Sequence, residues 1–128
     1  MRLAYIDTSC LVAIAFQEAK YDSLALELAA CDRLFSSNLL EAELRAAMAR
    51  EEVREDCAPL LSGITWMFPQ KPLTEEFRTV LSVGYVRGAD LWHLACGVYL
   101  RAQLPELAFF TLDVRQNTLA KALKFKTR

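Results

Sequence analysis

The side chains best placed for chemistry are carboxylates that stand where an apolar run meets a helical one. Leu3-Ala4-Tyr5-Ile6 runs straight into Asp7, and Leu107-Ala108-Phe109-Phe110-Thr111-Leu112 runs into Asp113. A short continuous apolar run reads as a strand buried on both faces, the kind a parallel α/β sheet uses. Each aspartate then sits at the carboxyl end of a strand, the edge where open α/β sheets bind ligands. Asp90 opens a strongly apolar helical stretch, Leu91 to Ala102. The amino ends of helices that follow strands share that same edge, and they favour an ionised carboxylate. Asp7, Asp90 and Asp113 are therefore expected to converge. Asp22, Asp32 and Asp56 lie in turn-like or polar contexts and read as solvated.

A fourth acid comes from Glu41 or Glu43. Glu41 has Arg45 four residues on, the favourable orientation for a helical ion pair, and stands three residues after Asn38, where it closes a cap. Glu43 has only Leu39, Leu40, Ala46 and Ala47 as helical neighbours. A carboxylate facing inward with no partner on its own helix needs one from elsewhere, so Glu43 is favoured. Singly, Asp7 and Asp90 read equally well as helix caps and Asp113 as a turn initiator. Jointly, four acids at one edge repel unless neutralised. Oxygen-only ligands suit magnesium or manganese rather than zinc.

The intervening sequence supplies elements to position them. Strands are expected at 34–36 and 65–68, with helices from about Leu11, over 23–30, from Asn38 to Arg50, over 54–62, from Thr74 to Val86 and over 115–123. Thr8 or Ser9 would cap the first helix. Phe125-Lys126-Thr127 reads as an edge strand. Strands alternating with helices imply one α/β domain over residues 1–128, with a parallel sheet in three layers. The chain is 54% hydrophobic, enough for a packed core at this length. No apolar run reaches the ~18 residues of a membrane span, and no secretory signal pattern is present. Cys10, Cys31, Cys57 and Cys96 are scattered, with no C-x-x-C, so free thiols in a reducing cytoplasm are expected. A net charge of -1 gives no global basic field for nucleic acid.

Four segments, YIDTSCLVAIAF, FSSNLLEAELRAA, VRGADLWHLACGV and FFTLDVRQNTLAKAL, resemble in order the PIN-domain nucleases, and among them the VapC-type toxins of toxin–antitoxin pairs. The resemblance implies a PIN-like fold with four or five parallel strands and a metal-dependent endoribonuclease. It implies magnesium or manganese held by Asp7, Glu43, Asp90 and Asp113, with Thr8, Ser9 and Thr111 as supporting hydroxyls. It also implies a cytoplasmic homodimer, RNA as substrate and a cognate antitoxin, expected to place a guanidinium among the acids. Leu24, Leu26 and Leu28 are candidates for shared dimer surface. Arg115 and Asn117 stand where some relatives carry a further acid.

Other readings fit less well. His93 is expected to be structural or supporting, since no oxyanion motif accompanies a serine. Trp92 reads as packing before base stacking. The basic run Lys121, Lys124, Lys126 and Arg128 reads equally as a solvated helix end or a phosphate contact. An aspartyl phosphatase would want an acid at Ser9, and a phospho-receiver an acidic pair before Asp7. The alternative of another class is a PIN-like module that binds RNA or protein without cutting.

Overall fold

The computed structural model describes residues 1–128. Four strands, β1 (Leu3–Ile6), β2 (Arg33–Ser37), β3 (Ile64–Met67) and β4 (Ala108–Phe110), form one sheet in the order β3-β2-β1-β4. All three pairings are parallel, as the continuous apolar runs predict. Side chains alternate across the strands. Leu3, Tyr5, Phe35 and Phe109 face one core and Ala4, Ile6, Ala108 and Phe110 the other.

Helices cover both faces. Against the Ala4–Ile6 face lie α1 (Thr8–Ala15), α2 (Tyr21–Ala29) and α3 (Leu39–Arg50), contributing Leu11, Leu24, Leu28, Leu40 and Leu44. A short α4 (Ala58–Leu61) adds Leu61. The Tyr5 face is covered by α5 (Thr74–Leu81), α6 (Gly88–Arg101) and α7 (Val114–Ala122), through Val80, Leu94 and Leu119. The three-layer α/β arrangement is thus as read. Phe109 is fully buried, worth about 1.5–3 kcal/mol relative to exposure. Gly97 in α6 allows this layer its close approach: a Cβ there would lie 2.9 Å from Phe109 Cδ2.

β1 is central. From it the chain winds outward to β2 and β3, then returns to place β4 on the other side. The order therefore reverses between β1 and β4, the place where open α/β sheets form a ligand crevice.

Several local expectations need correction. The helix expected over 54–62 shrinks to Ala58–Leu61, because Asp56 Oδ1 caps Ala58 N only at 3.0 Å and Pro59 follows at once. α5 stops at Leu81 and not at Val86, and Thr74 lies inside it, with Leu73 at the N-cap. The 125–127 segment gives a single parallel bridge, Ala108 to Lys126, rather than a strand. Leu24 and Leu28 are core residues, so of the three candidate dimer leucines only Leu26, 75% exposed, reaches the surface. The four cysteines are free. No helix is long and apolar enough to cross a membrane.

Candidate active site

Asp7 ends β1 and occupies the N-cap position of α1, yet its side chain caps nothing. It is instead 3% exposed and accepts from three side chains. Ser9 Oγ donates to Oδ1 at 2.5 Å, Thr111 Oγ1 to Oδ2 at 2.7 Å, and Gln116 Nε2 to Oδ2 at 2.8 Å. The donors are themselves held. Ser9 Oγ accepts from Leu112 N at 2.9 Å, and Thr111 Oγ1 accepts from Asp113 N at 3.0 Å. Each hydroxyl hydrogen is thereby committed to Asp7. Burial pushes the Asp7 carboxyl above its usual range, and the hydrogen bonds from Ser9 and Thr111 pull against it without prevailing.

The two glutamates face different ways. Glu41 points outward and pairs with Arg45 Nε at 2.8 Å. Its side chain also meets Asn38 Nδ2 at 3.0 Å, so the capping box is not closed on the backbone. Glu43 turns inward. Its Oε1 accepts from Thr8 Oγ1 at 2.6 Å and lies 2.9 Å from His93 Nε2. His93, on α6 and 2% exposed, lies 2.8 Å from the Tyr5 hydroxyl through Nδ1. That hydroxyl already accepts from Ser37 N at 3.2 Å. The Glu43 carboxylate can only accept, so the network assigns the ring hydrogen to Nε2, and Nδ1 then accepts the Tyr5 hydroxyl hydrogen. The His93 bond holds the Glu43 carboxyl below its usual range, against partial burial. His93 is thus the partner that Glu43 lacked on its own helix.

Asp90 is the third residue of α6, after Arg87 at the N-cap, so the cap reading for Asp90 fails. Burial raises its carboxyl first, then the charge of Asp113, with Glu43 adding a smaller push. The acids are therefore close enough to feel one another. Asp90 Oδ1 accepts from Gln116 Nε2 at 3.1 Å. Asp113 does cap α7, its Oδ1 accepting from Gln116 N at 2.7 Å.

Gln116 is the residue that the sequence reading missed. It touches Asp7 and Asp90 through its side chain and Asp113 through its backbone. The available signal was Asp113-Val-Arg-Gln116, the spacing of a capping box. The other candidates are less central. Trp92 is half-buried, tilted against Phe77, and bonds Ser37 Oγ at 2.9 Å. Lys126 and Arg128 pair with Glu106 and Glu27. Since Lys126 bridges the first residue of β4, the basic run lies at the opposite end of the sheet from Asp113. Arg115 Nε donates to Tyr85 O at 2.9 Å, and Asn117 Oδ1 is buried without a partner.

The donor set suits a hard cation. Glu43 Oε2, Asp90 Oδ2 and Asp113 Oδ2 carry no hydrogen bond, and Asp7 has a lone pair to spare. No lysine or arginine forms a salt bridge with any of the four. As they stand, however, no three of the chain's His, Cys, Asp and Glu side chains form a group that could hold a metal ion. No family model matches the chain, and no curated protein matches it.

Proposed function

We propose that this protein is a magnesium- or manganese-dependent endoribonuclease, the toxin of a type II toxin–antitoxin pair. The observation that carries the reading is the acid edge itself: four carboxylates from four elements, each with oxygen to spare and none salt-bridged to lysine or arginine. Elsewhere the chain pairs Glu41, Glu51, Glu76, Glu106 and Glu27 with arginine or lysine. RNA and the toxin role rest on the ordered resemblance of the four segments to VapC-type toxins.

Asp7, Glu43, Asp90 and Asp113 would hold the cation. When bound, such an ion lowers the pKa of a water and offsets charge on phosphoryl oxygens. The protein's own groups do the positioning. Ser9, Thr111 and Gln116 fix both oxygens of Asp7, and Thr8 and His93 fix one oxygen of Glu43 so that the other faces out. A cognate antitoxin would silence the site by offering an arginine to the spare oxygens, since a guanidinium fork binds two carboxylates at once. A homodimer belongs to the same reading; exposed Leu26, Phe68, Tyr85 and Val114 are available to bury.

The test is cleavage of single-stranded RNA by the purified protein with magnesium, with chelator, and with manganese added back. Asp7→Asn, which keeps shape and removes charge, should lose at least two orders of magnitude of activity while retaining the fold. Chelator-insensitive cleavage would overturn the metal mechanism. RNA binding without cleavage would favour a non-catalytic module. Light scattering at ~50 µM, well above a typical dimer Kd, reads the oligomeric state.

A further inference from the structure

At the carboxyl ends of β2 and β3 lies a cavity of about 290 Å³, lined chiefly by Ser37, Leu39, Met67, Phe68, Pro69 and Trp92. No charged residue lines it. The volume is at the low end of the ~300–1,000 Å³ of small-molecule sites, room for one flat ring system. Trp92 is fixed in its wall: Nε1 donates to Ser37 Oγ at 2.9 Å, and the Phe77 ring lies 6.2 Å away between centroids. The indole's one donor is thus spent inside the protein, and what it offers the cavity is ring surface. Phe68, directly after β3, is 66% exposed. Pro69 restricts the Phe68 backbone to extended conformations, so the phenyl stays at the strand end. The cavity adjoins the acid edge. Trp92 precedes His93 on α6, and Ser37 N donates to the Tyr5 hydroxyl, whose partner His93 holds Glu43. β3 lies two strands from β1, so cavity and Asp7 are about 10 Å apart across the sheet.

We infer that this cavity takes one unpaired RNA base, stacked on Phe68 and Trp92, beside the site of cleavage. The inference rests on RNA being the ligand, as read above. Charge selects a base as the occupant. The protein's net charge is -1, its acids crowd this edge, and Lys126 and Arg128 are paired at the opposite end of the sheet. Phosphate contacts therefore give RNA little to hold near the acids, and grip there must come from bases. Unstacked bases bind on aromatic side chains, and every base has a face to offer. Because Trp92 is already pinned, stacking on it costs little ordering. The uncharged lining leaves the phosphates outside, free to run toward Asp7. An aliphatic side chain of a protein partner is the competing occupant.

The experiment is read in chelator, so that binding is scored without cleavage. Anisotropy follows a short fluorescein-labelled single-stranded RNA, against an abasic oligomer with the same sugar–phosphate chain. Phe68→Ala and Phe68→Leu should each weaken RNA binding about tenfold, the worth of one stacked base, while Phe68→Tyr binds as wild type does. Phe68 is exposed, so none of the three should disturb the fold. Trp66→Phe leaves Trp92 as the only indole, and RNA should quench its emission where the abasic oligomer does not. With magnesium added, Phe68→Ala should raise KM for RNA far more than it lowers kcat. Wild-type affinity in Phe68→Ala or Phe68→Leu, or an abasic oligomer bound as tightly as RNA, would overturn the inference. Cleavage by Phe68→Ala at wild-type KM would leave the nuclease reading standing and remove the base site. RNA that binds and quenches Trp92 but is never cut would do the reverse. If Phe68→Ala loses a co-expressed partner protein while its RNA binding is intact, the cavity belongs to that partner and the inference falls.

Discussion

Removing one oxygen, in Tyr5→Phe, tests the chain that holds Glu43. The ring stays where it is, stacked on Phe109 at 5.3 Å between centroids and edge-on to His93 at 5.9 Å, so the apolar burial is unchanged. The loss falls on two polar groups, Ser37 N–H and His93 Nδ1, in a place where Tyr5 and His93 are buried from water. An orphaned buried group costs ~1–3 kcal/mol, and phenylalanine recovers the desolvation of the hydroxyl, so a net loss of ~2–4 kcal/mol is expected. For a chain of this size that lowers Tm by roughly 6–16 °C. The tautomer should hold, because the Glu43 carboxylate can only accept and keeps the ring hydrogen on Nε2, which leaves Nδ1 a buried acceptor without a donor. Urea denaturation gives the energy. Because His93 is the only histidine, a long-range nitrogen–proton spectrum reads its tautomer without assignment. A loss under ~1 kcal/mol, or a ring hydrogen found on Nδ1, would refute the reasoning, since an unsatisfied pair cannot be that cheap.

Three further outcomes follow from the geometry. Glu43→Gln should abolish most cleavage while Glu41→Gln, which loses only an exposed helical pair, leaves the rate unchanged and Tm nearly so; the opposite ranking of rates would show the wrong face was assigned. In chelator, Tm should rise as pH is lowered toward the ordinary carboxylate range, because the raised carboxyls of Asp7 and Asp90 take up protons in the native state before the unfolded chain does. Glu43, held low, takes stability away only below the ordinary carboxylate range, so it does not oppose this window. Saturating magnesium should cancel the rise, and a steady fall on acidification in chelator would contradict it. Gly97→Ala should destabilise by ~1 kcal/mol, its overpacking against Phe109 and Phe125 exceeding the ~1 kcal/mol helix-propensity gain, whereas Gly63→Ala, with nothing within 4 Å, should be near neutral by calorimetry.

The sheet and its acid edge were legible because strand burial on both faces leaves a plain mark, an uninterrupted apolar run, and the acids stand at the ends of two such runs. Glu43 was legible through an absence on its own helix face. Helix ends were not. Thr74 and Asp90 are good capping types, yet each lies inside its helix, because helix entry is set by where the preceding chain packs: Leu73 is buried at the N-cap of α5. Lys20 and Lys124 adopt left-handed backbone, φ 64° and 69°, where glycine or asparagine would have announced a turn. Gln116 escaped because a neutral amide draws no attention in a search for charge. Its role depends on Thr111, five residues earlier, having taken the backbone N–H it would otherwise seek.

The partners of Asp7 also say when in folding the site exists. β1 is the first strand made, but Asp7 is satisfied chiefly by residues from the other end of the chain, Thr111 after β4 and Gln116 on α7. A strand carrying a buried carboxylate at its end is costly until β4 pairs with it and α7 docks, because only then do two of the three donors arrive. Ser9 alone is local. β4 is short, three residues, and is held on its outer side by the single bridge to Lys126 and the Phe109 N to Lys126 O bond. The segment around Phe125, which looked like an optional edge strand in the sequence, therefore supports the strand that brings Thr111 to Asp7. Its side chain packs on Phe109 from that edge, 5.5 Å between centroids. The acid edge is thus closed by the last fifth of the chain, and a lesion at Phe125 should reach Asp7 through β4 with no change to any acid.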